Sequence, residues 1–139
     1  MKNKEIIKNN RDIQFFYNIV GLCETDKKLL GFGFNREKIK PFREKIDINL
    51  VTKIAEDKEI KLNQIFFKIS YRNSRLSEPA SLLVRIRNAF AHCQIIYNDK
   101  DKSYTMRDYN SKTPTMAARV KRKLLIDFIS AILSSRTIE

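Results

Sequence analysis

The chain has 139 residues and a formal net charge of +12, from 28 Lys and Arg against 16 Asp and Glu. This length suits one domain, residues 1–139, with a core large enough to fold without disulfides. One histidine and two cysteines are too few for the clustered soft ligands of a structural zinc site. No apolar run is long enough for a secretory signal or a membrane span, so we expect a basic cytoplasmic protein with no membrane contact.

The positive charge is spread along the chain. Residues 1–80 hold 17 basic and 11 acidic groups, and residues 81–139 hold 11 and 5. Because no terminal tail carries the excess, it must lie on the folded body, where it favours polyanions such as RNA or DNA. A lysine-rich surface that serves only solubility gives the same composition, so charge alone does not choose between these interpretations.

Two helices are predicted in the first third of the chain. Residues 4–22 form the first, because apolar side chains recur at helical spacing at Ile13, Phe16, Tyr17 and Val20. A shorter helix begins at residues 36–40 and is broken by Pro41, which cannot donate a backbone hydrogen bond.

Helical spacing returns between Asp47 and Ile69. The apolar positions that carry it are Leu50, Val51, Ile54, Leu62, Ile65, Phe66 and Ile69. A polar gap at residues 56–59 leaves open whether this is one helix or two. Residues 71–77 are polar and predict a loop.

The second half of the chain has clearer boundaries. Ser77 and Pro79 are start signals for a helix over residues 78–92, whose apolar face is Leu82, Leu83, Ile86, Ala89 and Phe90. Residues 94–109 contain β-formers on both sides of a turn and predict a short β-hairpin or an extended segment. Thr113 and Pro114 open a final helix with a stripe of Ala117, Val120, Leu124, Phe128 and Ala131. The sequence therefore predicts an all-α bundle of about four to five helices with one small β insertion.

Polar side chains with phosphate chemistry gather on the helix over residues 78–92. At about 100° per residue, Arg85, Asn88 and His92 share one side, and Arg87 flanks it. Arginine offers a planar fork for phosphate, imidazole transfers protons near neutral pH, and the amide can orient either group. The alternative stays open: a histidine at a helix C-terminus often interacts only with the helix dipole, and exposed arginines are often only solubilising.

The segment from Arg87 to His92, Arg-Asn-Ala-Phe-Ala-His, resembles the signature of HEPN domains. That signature is an arginine, usually followed by a polar residue, with four to six residues between the arginine and a histidine. Its place near the end of a long helix, followed by an extended segment and a closing helix, also resembles small prokaryotic HEPN proteins. The resemblance covers about residues 77–135.

The resemblance implies a fold and an activity. It implies a HEPN-like helical bundle and a metal-independent endoribonuclease without a cofactor, which acts as a homodimer in toxin–antitoxin or phage-defence systems. His92 would be the general acid or base for attack of the ribose 2′-OH on the adjacent phosphate. Arg87 would hold the phosphate, Asn88 would orient the site, and Arg85 would extend the anion site. RNA, a second copy of the chain and a cognate antitoxin protein are the partners it suggests.

A basic segment forms a second candidate site. Arg119, Lys121 and Arg122 are predicted around the first turns of the last helix, outside its apolar stripe. They predict a contact with the RNA backbone, and a solvated helix face explains them equally well.

Two other functions remain alternatives to the ribonuclease. The first is a non-catalytic HEPN module that binds a nucleotide, RNA or a protein, or drives dimerisation. The second is an unrelated basic DNA-binding helical domain, although no clear helix-turn-helix signature is present.

Overall fold

The structure is a computed structural model that describes residues 7–25, 33–51, 67–72 and 77–137. Over these residues the chain forms four α-helices and seven β-strands. The helices are α1 (Asn10–Thr25), α2 (Arg36–Arg43), α3 (Glu78–Ala91) and α4 (Arg122–Ser134). The strands are β1 (Gly33–Phe34), β2 (Asp47–Val51), β3 (Phe67–Arg72), β4 (Ile95–Asn98), β5 (Ser103–Asn110), β6 (Thr113–Lys121) and β7 (Arg136–Thr137).

Five of the described strands form one sheet in the order β2-β3-β6-β5-β4. Strands β2 and β3 are parallel and the other neighbours are antiparallel, while β1 and β7 pair separately. The protein is therefore mixed α/β, and the prediction of an all-α bundle is wrong. The predicted hairpin is confirmed as β4 and β5, with Tyr97 opposite Tyr104, but it is the edge of a larger sheet.

The predicted final helix is wrong in its first half, because residues 113–121 form β6 and α4 begins only at Arg122. Strand β6 lies in the middle of the sheet, and all residues from Thr115 to Val120 are buried, so both of its faces are covered. A strand buried on both faces lacks alternation, and its apolar run can match helical spacing by chance. Pro114 is tolerated near the strand start, opposite Tyr109 at an irregularity of the ladder.

The helical prediction between Asp47 and Ile69 is also wrong where the structure describes this region. Strands β2 and β3 pair in parallel from Asp47 with Lys68 to Val51 with Arg72. Strand β3 also pairs with β6, so these short segments gain their backbone hydrogen bonds from partners distant in sequence. Residues 52–66 lie outside the described part of the chain. The predicted loop over residues 71–77 starts too early, since β3 continues to Arg72.

The first predicted helix is observed as α1, but it buries a different face. Asp12, Phe16 and Ile19 are buried, whereas Ile13 is 42% and Tyr17 62% exposed. Phe16 packs against Phe90 of α3 and Tyr104 of β5, with ring centroids 5.7 and 5.5 Å away, and these contacts set the rotation of α1.

Pro41 does not break the second helix, so that prediction is wrong. Helix α2 continues to Arg43, and Asn35 caps its start by accepting a 3.0 Å hydrogen bond from the Glu37 amide. Pro41 removes one backbone donor from the helix. The Glu37 carbonyl would accept that hydrogen bond in a regular helix. Because Glu37 and Pro41 are both exposed, water can bind this carbonyl instead.

The core lies where α3 and α4 meet the sheet. Helix α3 packs on β5 and on α1, and α4 packs on β6 and β5, with α2 against α4. Its fully buried large side chains include Phe16, Ile19, Leu82, Leu83, Ile86, Ile95, Tyr104, Met106, Met116, Leu125 and Phe128. The core holds one face of α3 inward, so the other face is available for a site.

Candidate active site

Helix α3 begins where the sequence predicts. Ser77 is its N-cap, with the hydroxyl oxygen accepting a 3.5 Å hydrogen bond from the Ala80 amide, and Pro79 lies in the first turn. The predicted apolar face is confirmed. Phe90 is partly buried against the core, and the other four members are no more than 1% exposed: Leu82, Leu83, Ile86 and Ala89. Burial of this face fixes the rotation of α3.

The C-terminal end of α3 is a Schellman turn that carries His92. His92 is the C-cap, and Cys93 follows with φ 57° in the left-handed region. The Gln94 amide donates to the Ala89 carbonyl at 2.7 Å, and the Gln94 carbonyl accepts from the Arg107 amide of β5 at 3.0 Å. The exposed His92 side chain thus extends from a backbone that is tied to the sheet.

Arg87 and Asn88 form a hydrogen-bonded pair beside His92 in sequence. The Arg87 Nε and Nη2 groups both donate to Oδ1 of Asn88, at 3.0 and 2.7 Å. Both side chains are half-buried. The Asn88 oxygen therefore holds the Arg87 guanidinium, while the role of Asn88 in the site stays a prediction.

Asp108 of β5 lies behind this pair and was not among the predicted site residues. Its Oδ2 accepts from Asn88 Nδ2 at 3.4 Å and from Thr115 Oγ1 at 2.9 Å. The same oxygen lies 3.5 Å from Nη1 of Arg85. Arg85, expected to extend the anion site, is thus an ion-pair partner of a buried carboxylate and only 19% exposed in its side chain.

The predicted basic segment is divided between two acidic partners. Arg119 of β6 forms an ion pair with Asp101, and Lys121 Nζ donates to the Asp101 carbonyl at 2.5 Å. Burial alone would raise the pKa of Asp101, but hydrogen bonds from Ser103 and Arg119, with the charges of Arg119 and Lys121, lower it below its ordinary value.

Arg122 begins α4 and binds the second acid, Asp12 of α1. Nε and Nη2 of Arg122 donate to the two carboxylate oxygens at 2.7 Å each. Burial alone would raise the pKa of Asp12, but hydrogen bonds from Arg122 and Tyr104 and the charges of Arg122 and Lys8 lower it. Arg122 thus neutralises a carboxylate inside the protein.

The structure brings together some predicted site residues and separates others. Arg85, Arg87 and Asn88 lie on the C-terminal half of α3, and His92 is its C-cap. Arg119 lies four residues along β6 from Thr115, about 13 Å away at the usual strand rise, toward the other end of the sheet. The two predicted groups are therefore separate surfaces, and the role of the basic segment in RNA binding stays a prediction.

Among the described residues, no group of three or more His, Cys, Asp or Glu is placed to hold a metal ion. In the same ranges, no helix combines the length and the apolar character needed to cross a membrane.

Of Asp108 and Thr115, only Asp108 has a signal in the sequence. Residues 94–109 predict a short β-hairpin or an extended segment, and alternation along a strand puts Asp108 on the same face as Tyr104 and Met106. An acid at such a position predicts a buried carboxylate with a partner. The identity of that partner, Asn88, depends on the packing of α3 on β5.

Comparison with known proteins identifies the family of the chain. The family model described as HEPN pEK499 p136 matches residues 4–136, which is nearly the whole chain. No curated protein and no solved structure matches the chain.

Proposed function

Since the chain belongs to the HEPN pEK499 p136 family, we propose that it is a metal-independent endoribonuclease that acts as a homodimer. Membership supports a nuclease or RNA-binding, toxin-like role. The observation that carries the finer proposal is the motif at the C-terminal end of α3, where Arg87 is oriented by Asn88 and His92 is exposed.

In the proposed reaction, His92 accepts the proton of a ribose 2′-OH. The 2′-oxygen attacks the adjacent phosphorus, the bond from phosphorus to the 5′-oxygen breaks, and that oxygen takes up a proton. The products are a 2′,3′-cyclic phosphate and a 5′-OH. Arg87 stabilises the negative charge that grows on the phosphate oxygens, and Asn88 keeps its guanidinium in place.

The single histidine supports a homodimer in this proposal. One imidazole can accept a proton or donate one at a given moment, while the reaction needs a base for the 2′-OH and an acid for the leaving oxygen. Two protomers whose α3 ends meet in one cleft supply both groups. A strictly monomeric protein would leave the second proton transfer to water.

RNA is the proposed substrate because the reaction requires a 2′-OH, which DNA lacks. The net charge of +12 supports binding of a polyanion of this kind. We assign the protein the role of a prokaryotic toxin or phage-defence effector in the cytoplasm, with a cognate antitoxin protein as a further partner.

A second candidate is a HEPN module that binds RNA or nucleotide without cutting it. The observation that favours it is that both guanidinium groups already have partners inside the chain: Arg85 forms an ion pair with Asp108, and Arg87 donates to Asn88. In this case the motif would hold a phosphate in a fixed position, and no proton would be transferred.

Product chemistry separates the two candidates. Purified protein is incubated in EDTA with a labelled single-stranded RNA and with the same sequence in which every ribose is 2′-deoxy. The ribonuclease proposal expects cleavage of the RNA to 2′,3′-cyclic phosphate ends and no cleavage of the deoxy substrate. Binding of RNA by a folded protein without cleavage would favour the second candidate. Cleavage that EDTA abolishes, or ends that carry a 5′-phosphate, would exclude the proposed mechanism.

A further inference from the structure

Asp108 is a charged residue at a position that the fold otherwise gives to apolar side chains. Tyr104 and Met106 precede it on the same face of β5 and are 0% exposed, and Asp108 itself is 2% exposed. A buried charge is costly unless it is paired and hydrogen-bonded. The partners of Asp108 therefore account for its presence, and they lead to the motif.

Both oxygens of the Asp108 carboxylate are occupied. Oδ1 accepts a 2.9 Å hydrogen bond from the Tyr109 amide. Oδ2 accepts from Thr115 and from Asn88, and it faces the Arg85 guanidinium. Thr115 donates across the antiparallel pair of β5 and β6 and holds the carboxylate on the strand side, while Asn88 and Arg85 approach it from α3.

The carboxylate fixes which way the Asn88 amide points. An ionised carboxylate accepts hydrogen bonds and cannot donate them, so only the Nδ2 group of Asn88 can face Asp108. The Asn88 oxygen is then directed at Arg87, where it accepts from both Nε and Nη2. A flipped amide would place its NH₂ group against the guanidinium and lose both of these bonds.

The orientation leaves one edge of the Arg87 guanidinium for a substrate. A guanidinium has five N–H groups, and the Asn88 oxygen engages one on Nε and one on Nη2. Within the described part of the chain, both groups on Nη1 and the second group on Nη2 have no partner, and they form the fork that fits two phosphate oxygens. The chain from Asp108 through Asn88 therefore determines which edge of Arg87 is presented.

We propose that Asp108 is a positioning residue of the active site, which orients Arg87 toward the scissile phosphate through the Asn88 amide. This inference rests on the proposed ribonuclease function. Asp108 touches no substrate, and Thr115 supports it from β6. Arg85 acts in this arrangement as the counter-ion of Asp108, so that the carboxylate does not offset the positive charge of Arg87.

A double-mutant cycle on the full chain tests the route through Asn88. Asp108→Asn keeps the size of the side chain but replaces one acceptor oxygen with a donor. We expect kcat on a labelled single-stranded RNA to fall about 10- to 100-fold, as for a misplaced catalytic group. In an Asn88→Ala background the same change should cost almost nothing more, because the route is already cut. A purely structural role would give equal losses in both backgrounds and overturn the proposal.

A second measurement is independent of activity. In ¹H–¹⁵N spectra the Arg87 Nε–H signal should be protected from exchange in the wild type and lose that protection in Asp108→Asn. Unchanged protection overturns the proposal. If Asp108→Asn does not fold, Thr115→Val tests the same route, because it removes one hydrogen-bond donor to the carboxylate. We expect this variant to lower both kcat and the protection of the Arg87 Nε–H. An inactive, folded wild type would overturn the ribonuclease function, while the spectra would still decide whether Asp108 orients Arg87.

Discussion

The phenol O–H of Tyr104 donates a 2.5 Å hydrogen bond to Oδ2 of Asp12, which joins β5 to the first turn of α1. Arg122 at the start of α4 binds the same carboxylate, and the Lys8 amide donates to the Tyr104 oxygen at 3.1 Å. Burial and the bond to Asp12 raise the pKa of Tyr104, so its hydroxyl stays protonated as a donor. Three elements that are distant in sequence thus share one buried charge.

This cluster predicts an acid-sensitive contribution to stability. Because the pKa of Asp12 is lowered in the folded protein, its contribution is complete above the ordinary aspartate pKa and is lost as the pH falls below about 4. We expect Asp12→Asn to lower the free energy of unfolding by about 1.5–3 kcal/mol at pH 7. Urea unfolding between pH 3 and 7 should show this difference shrinking toward pH 3. Asp99→Asn removes an exposed carboxylate and serves as the control. A difference that does not change with pH would contradict the assignment.

The turn that carries His92 predicts a stabilising substitution. Cys93 has φ 57°, a conformation that is strained for a residue with a Cβ atom and unstrained for glycine. Relief of about 1–2 kcal/mol of strain exceeds the added entropy of the unfolded chain, so Cys93→Gly should raise stability by about 0.5–1 kcal/mol. Thermal unfolding of Cys93→Gly and Cys93→Ala measures the difference in melting temperature between the two variants. Equal melting temperatures would show that the turn is not strained, and RNA cleavage should survive both changes because the thiol has no role in the proposed reaction.

Two adjacent cations in the first turn of α4, Arg122 and Lys123, should differ in their contribution to stability. Arg122→Ala leaves the buried Asp12 without its guanidinium partner and should lower the free energy of unfolding by about 2–3 kcal/mol. Lys123→Ala, at an exposed position, should change it by less than about 0.5 kcal/mol. Denaturant titration of the two variants compares them, and equal stability would contradict a structural role for Arg122. The same two variants test the predicted RNA contact of Arg122. Loss of a phosphate ligand lowers the slope of log RNA affinity against log salt concentration by about 1.

The motif helix could be predicted because all of its signals are local. Ser77 and Pro79 mark its start, and its apolar face has regular spacing. Asn88 and Arg85 both approach Asp108, while the place of His92 beside them stays a prediction. The family resemblance depended on the same stretch of sequence, and the match over residues 4–136 supports it.

The sheet could not be predicted in the same way, because its strands depend on distant partners. Strand β6 contains the helix formers Met116, Ala117 and Ala118, and pairing with β3 and β5 overrides their local preference. Asp12 interrupts the apolar spacing of α1, and its burial is explained by Arg122 and Tyr104, 110 and 92 residues away. Asp108 is likewise explained by Asn88, 20 residues earlier and on another element. Sequence spacing does not show such partners.

The most direct test of the ribonuclease proposal is the cleavage rate of a labelled RNA in EDTA by wild type, Arg87→Ala and His92→Ala. Both side chains lie outside the core cluster, so each variant should keep the melting temperature within a few degrees, as for surface substitutions. Lys38→Ala, an exposed cation on α2, controls for loss of charge. We predict that both motif variants cleave at least about 100-fold more slowly than wild type and the control. Cleavage by folded His92→Ala at the wild-type rate would contradict the proposal.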